Sequence, residues 1–371
     1  YFDQVMREQF LPSARVQFLP MSNYLGDGQI ESLFSGEITT LSVGKIVDAT
    51  YMNVTVPSMR SPPFEVDASV SCVPLNELPK KAVHGSGFVV VGAGKTGFDA
   101  CLFLLNHGVD PDRITWIMPR DAWLLDRASI QALDLFEAGV LTWFSDTFEA
   151  IAAADSVADM FLKIEACGQL MRFDPTITPS MYRCCTVTRA ELEELRRIGN
   201  VVRQGRVRRI ESDRVVLDDG ELSFAPDTLF IDCTADGLER RAARPVFDDG
   251  RITLQAVRTC QQVFSAAFIG HVEAAYADEA IKNELCVPVP HPDTDIDFMT
   301  NVLADLANAA RWSEDEALVE WMINSRLDGF SQPGDPTAAE LALREKIAQN
   351  GGVVAEKLQQ FLSDTAERPA N

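Results

Sequence analysis

No Cys-x-x-Cys pair occurs in this chain of 371 residues, although it carries eight cysteines: Cys72, Cys101, Cys167, Cys184, Cys185, Cys233, Cys260 and Cys286. The dithiol of disulfide reductases and the usual zinc knuckle both need that spacing, so neither is indicated. Cys184 and Cys185 are adjacent, and such a pair could close into a ring disulfide that accepts electrons. The reading favoured is two ordinary thiols in the interior of a protein from a reducing, cytoplasmic compartment. Histidine is scarce: His84, His107, His271 and His291 lie in unlike contexts and form no metal-spaced cluster, so no metal site is expected. A Gly-x-Ser-x-Gly nucleophile turn is also missing. No apolar run approaches the roughly eighteen residues of a membrane span, and no membrane association is expected. Basic residues are few, 33 against 55 acidic ones, for a formal net charge of −22. A surface that acidic repels phosphate, which argues against nucleic acid or an anionic bilayer as partner. Internal repeats and low-complexity tracts are absent as well. With 46% hydrophobic residues, the chain can bury a sizeable core in two or three domains.

Against these absences stands residues 88–120, FVVVGAGKTGFDACLFLLNHGVDPDRITWIMPR, which reads as strand, glycine turn, helix, strand. Phe88 to Val91 are continuously apolar, as in a parallel strand covered on both faces by helices. The junction is Gly92-Ala93-Gly94-Lys95-Thr96-Gly97, a G-x-G-x-x-G turn. Gly92 permits the tight turn, Gly94 lets backbone approach a pyrophosphate, and Gly97 lets the helix lie close to the strand. Phosphates would sit over free N–H groups at the positive end of the helix. Phe98, Cys101, Leu102 and Leu105 give that helix an apolar face, and Gly108 ends it. Ile114 to Met118 supply the next strand. Arg120 follows it, where an acid would accept bonds from a free ribose 2′-hydroxyl. A guanidinium suits a 2′-phosphate instead, Lys95 adds a second nearby positive charge, and NADPH is favoured over NADH, although Asp121 could still face a hydroxyl.

Residues 1–87 precede this unit. Tyr1, Phe2, Val5, Met6 and Phe10 form one face of an amphipathic helix. VQFLPMSNYLGDG, QIESLFSG and EITTLSVGKIVDATY then read as a small antiparallel meander leading to a buried strand, Ile46 to Ala49. The order helix, meander, VDATY, proline-rich crossover, VVVGAGKTG and a later strand ending IDCTADG resembles the two-dinucleotide-binding-domain flavoproteins, in particular flavin-containing monooxygenases and related FAD/NAD(P)-dependent oxidoreductases. The resemblance covers most of residues 1–300. It implies an α/β fold in which a Rossmann-like NADP-binding domain is inserted in a partial FAD-binding domain. Residues 1–60 would be the back half of the FAD-type domain, 61–84 the crossover, 85–240 the NADP domain, and 241–371 the return segment with C-terminal helices. The crossings carry Ala49-Thr50-Tyr51 and Cys233-Thr234-Ala235, which depart from the Ala-Thr-Gly pattern of that superfamily. Thr234 is the cofactor-binding position implied at the second crossing. The monooxygenase fingerprint FxGxxxHxxxW is not found before the glycine turn. The resemblance also puts the FAD phosphate-binding turn upstream of Tyr1, so the flavin site is expected to be incomplete in this chain, which starts on tyrosine, not methionine.

A helical insertion is expected over 128–200, with a capping box Thr188-x-x-Glu191 and a staple of Val187 on Leu192. It could cover a substrate, form a dimer surface, or simply add packing. Around Asp219-Gly220 the chain reads as a hairpin. Phe264 to Ile269 reads as a core strand, with Gly270, His271 and Glu273 at the turn after it, and His271 more a capping than a catalytic residue. The tail is helical from Asp297. Asp335-Pro336 should start its last helix, Gly351-Gly352 should break it, and Val354, Leu358 and Leu362 should resume an apolar face toward the body or a second subunit. The sequence thus points to an NADPH-dependent flavoprotein oxidoreductase that passes hydride to FAD and on to an organic acceptor or oxygen. The alternatives are a flavin-free NADP-dependent dehydrogenase and a non-catalytic NADPH-binding protein. No catalytic side chain is identified.

Overall fold

The computed structural model describes residues 1–81, 86–130, 139–235, 237–325 and 335–366. His84 and the start of the expected insertion, 131–138, lie outside the described residues. The fold is mixed α/β with several sheets. Backbone contacts divide it into two units, 1–48 with 248–252, and 49–247 with 253–371.

The smaller unit opens with α1 (Phe2–Val5), which runs into a π-helical turn, Met6–Phe10. The expected apolar helix face finds little cover: Tyr1 and Phe2 are 89% and 83% exposed. The meander is present as β1 (Ser22–Gly26), β2 (Gln29–Ser32) and β3 (Ile38–Thr40), all antiparallel. Its first turn needs Gly28, whose φ is +75° and where a side chain would strike the Leu41 carbonyl. After it comes β4 (Ile46–Asp48), which corrects the expectation of a buried strand. As the edge of a three-stranded sheet it keeps Val47 exposed, because an edge strand has a neighbour on one side only.

The larger unit is built on five parallel strands. In chain order the elements of this unit begin with β5 (Glu65–Val66), which belongs to a neighbouring sheet, then β6 (Ser71–Pro74), the short α2 (Leu78–Lys81), β7 (Phe88–Val91), α3 (Lys95–Asn106) and β8 (Ile114–Ile117). A second segment supplies β9 (Ala122–Asp126), α4 (Gly139–Ala152), α5 (Val157–Ala166), β10 (Leu170–Met171), β11 (Met181–Val187) and α6 (Arg189–Leu195). Next are β12 (Asn200–Val202), β13 (Val207–Ile210), β14 (Arg214–Leu217), β15 (Glu221–Ser223) and β16 (Leu229–Asp232). The parallel sheet has the order β12-β8-β7-β16-β6. Thus β7 is central, and the chain leaves it toward β8 but comes back on its other side as β16.

Alternation along these strands divides two cores. Phe88, Val90, Ile114, Trp116, Leu229 and Ile231 pack with α3 and α6, whereas Val89, Val91, Ile117 and Phe230 pack against β13 and β14. So the expectation of helices on both faces is half right. The second face is covered by a small antiparallel sheet, β15-β14-β13, with β5 added in parallel. A four-residue apolar strand needs apolar cover on both sides, and either kind of layer provides it. The Asp219-Gly220 hairpin is present between β14 and β15, closed by Leu217 N–H on the Gly220 carbonyl.

The segment expected as a helical insertion contains strands as well as helices, since β10 and β11 flank β9 in a sheet of their own. Both bonds of the Thr188/Glu191 capping box form. Beyond the hairpin of β17 (Phe247–Asp248) and β18 (Arg251–Thr253) the chain is helical: α7 (Gln262–Ala275), α8 (Glu279–Leu285), α9 (Asp295–Ser313), α10 (Glu316–Asn324) and α11 (Ala338–Ala366). Here Phe264 to Ile269 is a helix, which overturns the expected core strand and turn. Phe264, Phe268, Ile269 and Val272 are buried at helical spacing, so the apolar run faces the core as a stripe. The last helix also differs. Thr337, not Asp335, exchanges the capping bonds, with Glu340, and Gly351-Gly352 lie inside an unbroken helix. Burial of Val354, Leu358 and Phe361 against α4 outweighs the roughly 1 kcal/mol that each helical glycine costs. That packing also places the tail on the body.

Candidate functional site

The parallel sheet brings four loop starts to one edge. Val91 is level with Ile117 and Asp232, and Ile117 with Val202, so Gly92, Met118, Arg203 and Cys233 all emerge at the carboxyl ends of their strands. At β7 the direction of winding reverses, which in open α/β sheets leaves a crevice between diverging loops.

The glycine turn occupies this position, and its three glycines do three different things. Gly92 has φ +130°, donates its N–H to the Ile117 carbonyl at 3.0 Å, and passes so near the Cys233 carbonyl that a Cβ would collide with it. The Gly92 carbonyl in turn accepts the indole N–H of the fully buried Trp116 at 2.8 Å. Gly97 packs on that same carbonyl, again with no room for a Cβ. Gly94 is unlike either. It is the N-cap of α3 with no side-chain bond to the first amides, and a Cβ there would meet nothing within 4 Å. The turn is therefore locked from beneath and open above, at a helix end where outward N–H groups favour an anion. Ala93 and Thr96 complete it without a side-chain bond of their own among the described residues.

The other expected residues are placed as follows. Lys95 forms an ion pair with Asp99 one turn along α3, so its charge is already shared. Asp121 is buried and held by Arg203 through both oxygens, at 2.7 and 3.0 Å. Both of its oxygens are thus engaged. Arg120 is partly exposed, with its guanidinium 3.8 Å from Asp293. Thr234 turns inward: its N–H and hydroxyl both donate to Asp232, and Arg60 donates to its oxygen at 3.1 Å. It follows β16 beside the glycine turn, but its hydroxyl is already engaged.

The expected thiol pair is also corrected. Cys184 is joined to Cys260, 76 residues away, while Cys185 is a buried free thiol. Sequence spacing carries no sign of a partner that distant. Burial raises every free thiol above its ordinary pKa, Cys72 and Cys185 to about 12, so none is poised as a nucleophile. His271 lies within α7, stacked on Trp321 with ring centroids 4.3 Å apart, and burial lowers its pKa. Glu273 pairs with Lys282. Neither sits at a turn. Among the described residues no group of three His, Cys, Asp or Glu side chains is arranged to hold a metal, and no helix is long and apolar enough to cross a membrane.

Sequence reasoning missed a cluster centred on Asp293. Arg183 and Arg240 both pair with its carboxylate, and Arg120 approaches it. Burial alone would raise the Asp293 pKa, but the Arg183 and Arg240 guanidiniums bring it below the ordinary carboxylate value. Asp293 borders a cavity of about 230 Å³ whose wall includes Tyr51, His291 and the Arg240-Arg241 pair. These residues are far apart in sequence. The one local sign was Thr294-x-x-Asp297, a capping box that fixes Asp293 at the start of α9.

No protein-family model matches the chain. It is similar to the uncharacterized protein Mb2023 of Mycobacterium bovis and to the uncharacterized proteins MT2056 and Rv2000 of Mycobacterium tuberculosis, each 51% identical over 347 residues. The aligned stretch is 94% of this chain but 64% of each relative, so the chain spans less than two thirds of the length of these curated relatives.

Proposed function

We propose that the chain binds NADPH at a Rossmann-like unit formed by β7, the glycine turn, α3 and β8, and that it serves an FAD- and NADPH-dependent oxidoreductase. The observation that carries this reading is the asymmetry of the turn. Gly92 and Gly97 are glycine because backbone packs on them, whereas Gly94 faces open space at an uncapped helix end. Packing gives no reason for glycine at 94, and close approach of a pyrophosphate does. Gly92, Ala93, Gly94, Lys95, Thr96 and Gly97 would hold the diphosphate. Arg120 would take the 2′-phosphate, a role made easier because Asp121 is bound to Arg203. Thr234 would lie beside the diphosphate, with its hydroxyl and N–H turned to Asp232.

When bound, NADPH supplies hydride. The protein's part is to fix distance and exclude water, so no strongly acidic or basic side chain is required. FAD enters from the resemblance to flavin-containing monooxygenases, and the acceptor would be a small organic molecule or oxygen. A protein in which six of eight cysteines remain thiols suits the reducing cytoplasm. The test is a visible absorption spectrum of the purified protein, followed by anaerobic addition of NADPH. Flavin bands that bleach are expected. A colourless protein that binds NADPH would remove the flavin from the account and favour a plain NADP-dependent dehydrogenase.

A further inference from the structure

The cavity beside Asp293 has two chemically distinct sides. One is apolar, with Met52, Leu238 and Val289 in its lining. The other is dominated by arginine in a chain whose net charge is −22. Besides Arg183 and Arg240 on Asp293, Arg241 and Arg244 lie over the Tyr51 ring at 5.3 and 4.2 Å, so that the ring and two guanidiniums form one surface. Arg183, Arg240 and Arg241 line the cavity together with Glu239, Asp293 and Asp297, while Arg120 approaches Asp293 and Arg244 lies on the Tyr51 ring. Asp297 is further occupied at the start of α9, where it accepts the N–H groups of Asp293 and Thr294 and the Thr294 hydroxyl. Arg240 is the most exposed of the three arginines in the lining, with 66% of its side chain exposed although it reaches Asp293.

We infer that this cavity binds a small organic anion, with its carboxylate or phosphate head on Arg240 and Arg183 and its apolar body against Tyr51, Met52 and Leu238. Arginine suits such a head because its planar fork meets two oxygens at once. In the absence of ligand, Asp293 is the counter-ion that holds the guanidiniums in place. The head could belong to a separate acid or to the 2′-phosphate of NADPH, since Arg120 reaches the same Asp293 oxygen as Arg240. The inference is independent of the NADPH reading, because it concerns the protein without cofactor.

The test is isothermal titration of the cofactor-free protein with phenyl phosphate, benzoate and the neutral benzyl alcohol, repeated on Arg240→Gln and on the surface control Arg214→Gln. At least one anion should bind while the alcohol does not. Arg240→Gln should weaken the anion by about tenfold or more, the range for a lost charge-assisted bond, and Arg214→Gln should leave it unchanged. A far-ultraviolet spectrum of Arg240→Gln checks its fold, and Arg240→Lys, which keeps the charge but loses the fork, should fall between it and the parent. Displacement of the bound anion by NADPH and not by NADH would assign the head to the 2′-phosphate; no displacement by either would assign it to a separate acid. The inference fails if neither anion binds, if the alcohol binds equally well, or if Arg240→Gln binds as tightly as the parent. Failure of NADPH to bind would be a separate result and leave the anion titration standing.

Discussion

A methyl group added at Gly92 or Gly97 would press into a backbone carbonyl, and one added at Gly94 would meet open space. This contrast separates, at the level of single atoms, the glycines that packing requires from the one that it does not. Gly92→Ala and Gly97→Ala should each destabilise the fold by about 1–3 kcal/mol, the usual range for forced overpacking or an unfavourable φ. Gly94→Ala should leave stability within about 0.5 kcal/mol of the parent and yet weaken NADPH by about tenfold. Thermal melts beside NADPH titrations of the three variants give both quantities. A Gly94→Ala protein that binds NADPH like the parent would mean that no ligand approaches there. The packing roles of Gly92 and Gly97 were legible in the sequence because they follow from a local chain pattern. The pairing of Asp121 with Arg203 was not, since it depends on β12 lying next to β8.

At the scale of elements, local signals read well and long-range ones did not. The capping box at Thr188, the meander of β1 to β3 and the β7-α3-β8 unit each depend on neighbours a few residues apart, and each is present. The segment around Phe264 was misread because FSAAFI is a short apolar run, which periodicity assigns to strand or helix equally; its burial at 264, 268 and 272 settles it. Gly351-Gly352 were misread for a different reason. Propensity marks them as a break, but the apolar stripe on either side continues in register and α4 covers it. At both glycines an added Cβ has nothing within 4 Å and φ lies outside the left-handed region. Gly351→Ala and Gly352→Ala should therefore each stabilise the protein by about 0.5–1 kcal/mol, read as a higher midpoint in thermal or urea unfolding. A lower midpoint would show that the helix is interrupted there.

Across the whole molecule, the parallel sheet explains why residues near 92, 118, 203 and 233 meet at one edge, and the tail helices explain how Asp293 comes to join them through Arg120. Most of the strand-helix order of the β7-α3-β8 unit could be read from the chain. The arginine cluster could not, because its members lie at 120, 183 and 240, on loops or strands separated by whole elements. Such a grouping of arginines stands out in a chain whose net charge is −22. The account rests on nucleotide binding at the glycine turn with selection by Arg120. The most direct measurement is a calorimetric titration of the protein and of Arg120→Ala with NADPH and with NADH. The account predicts that the parent prefers NADPH and that Arg120→Ala loses about tenfold or more of its NADPH affinity while NADH changes little. Absence of binding by either nucleotide, or an equal loss for both, would contradict it.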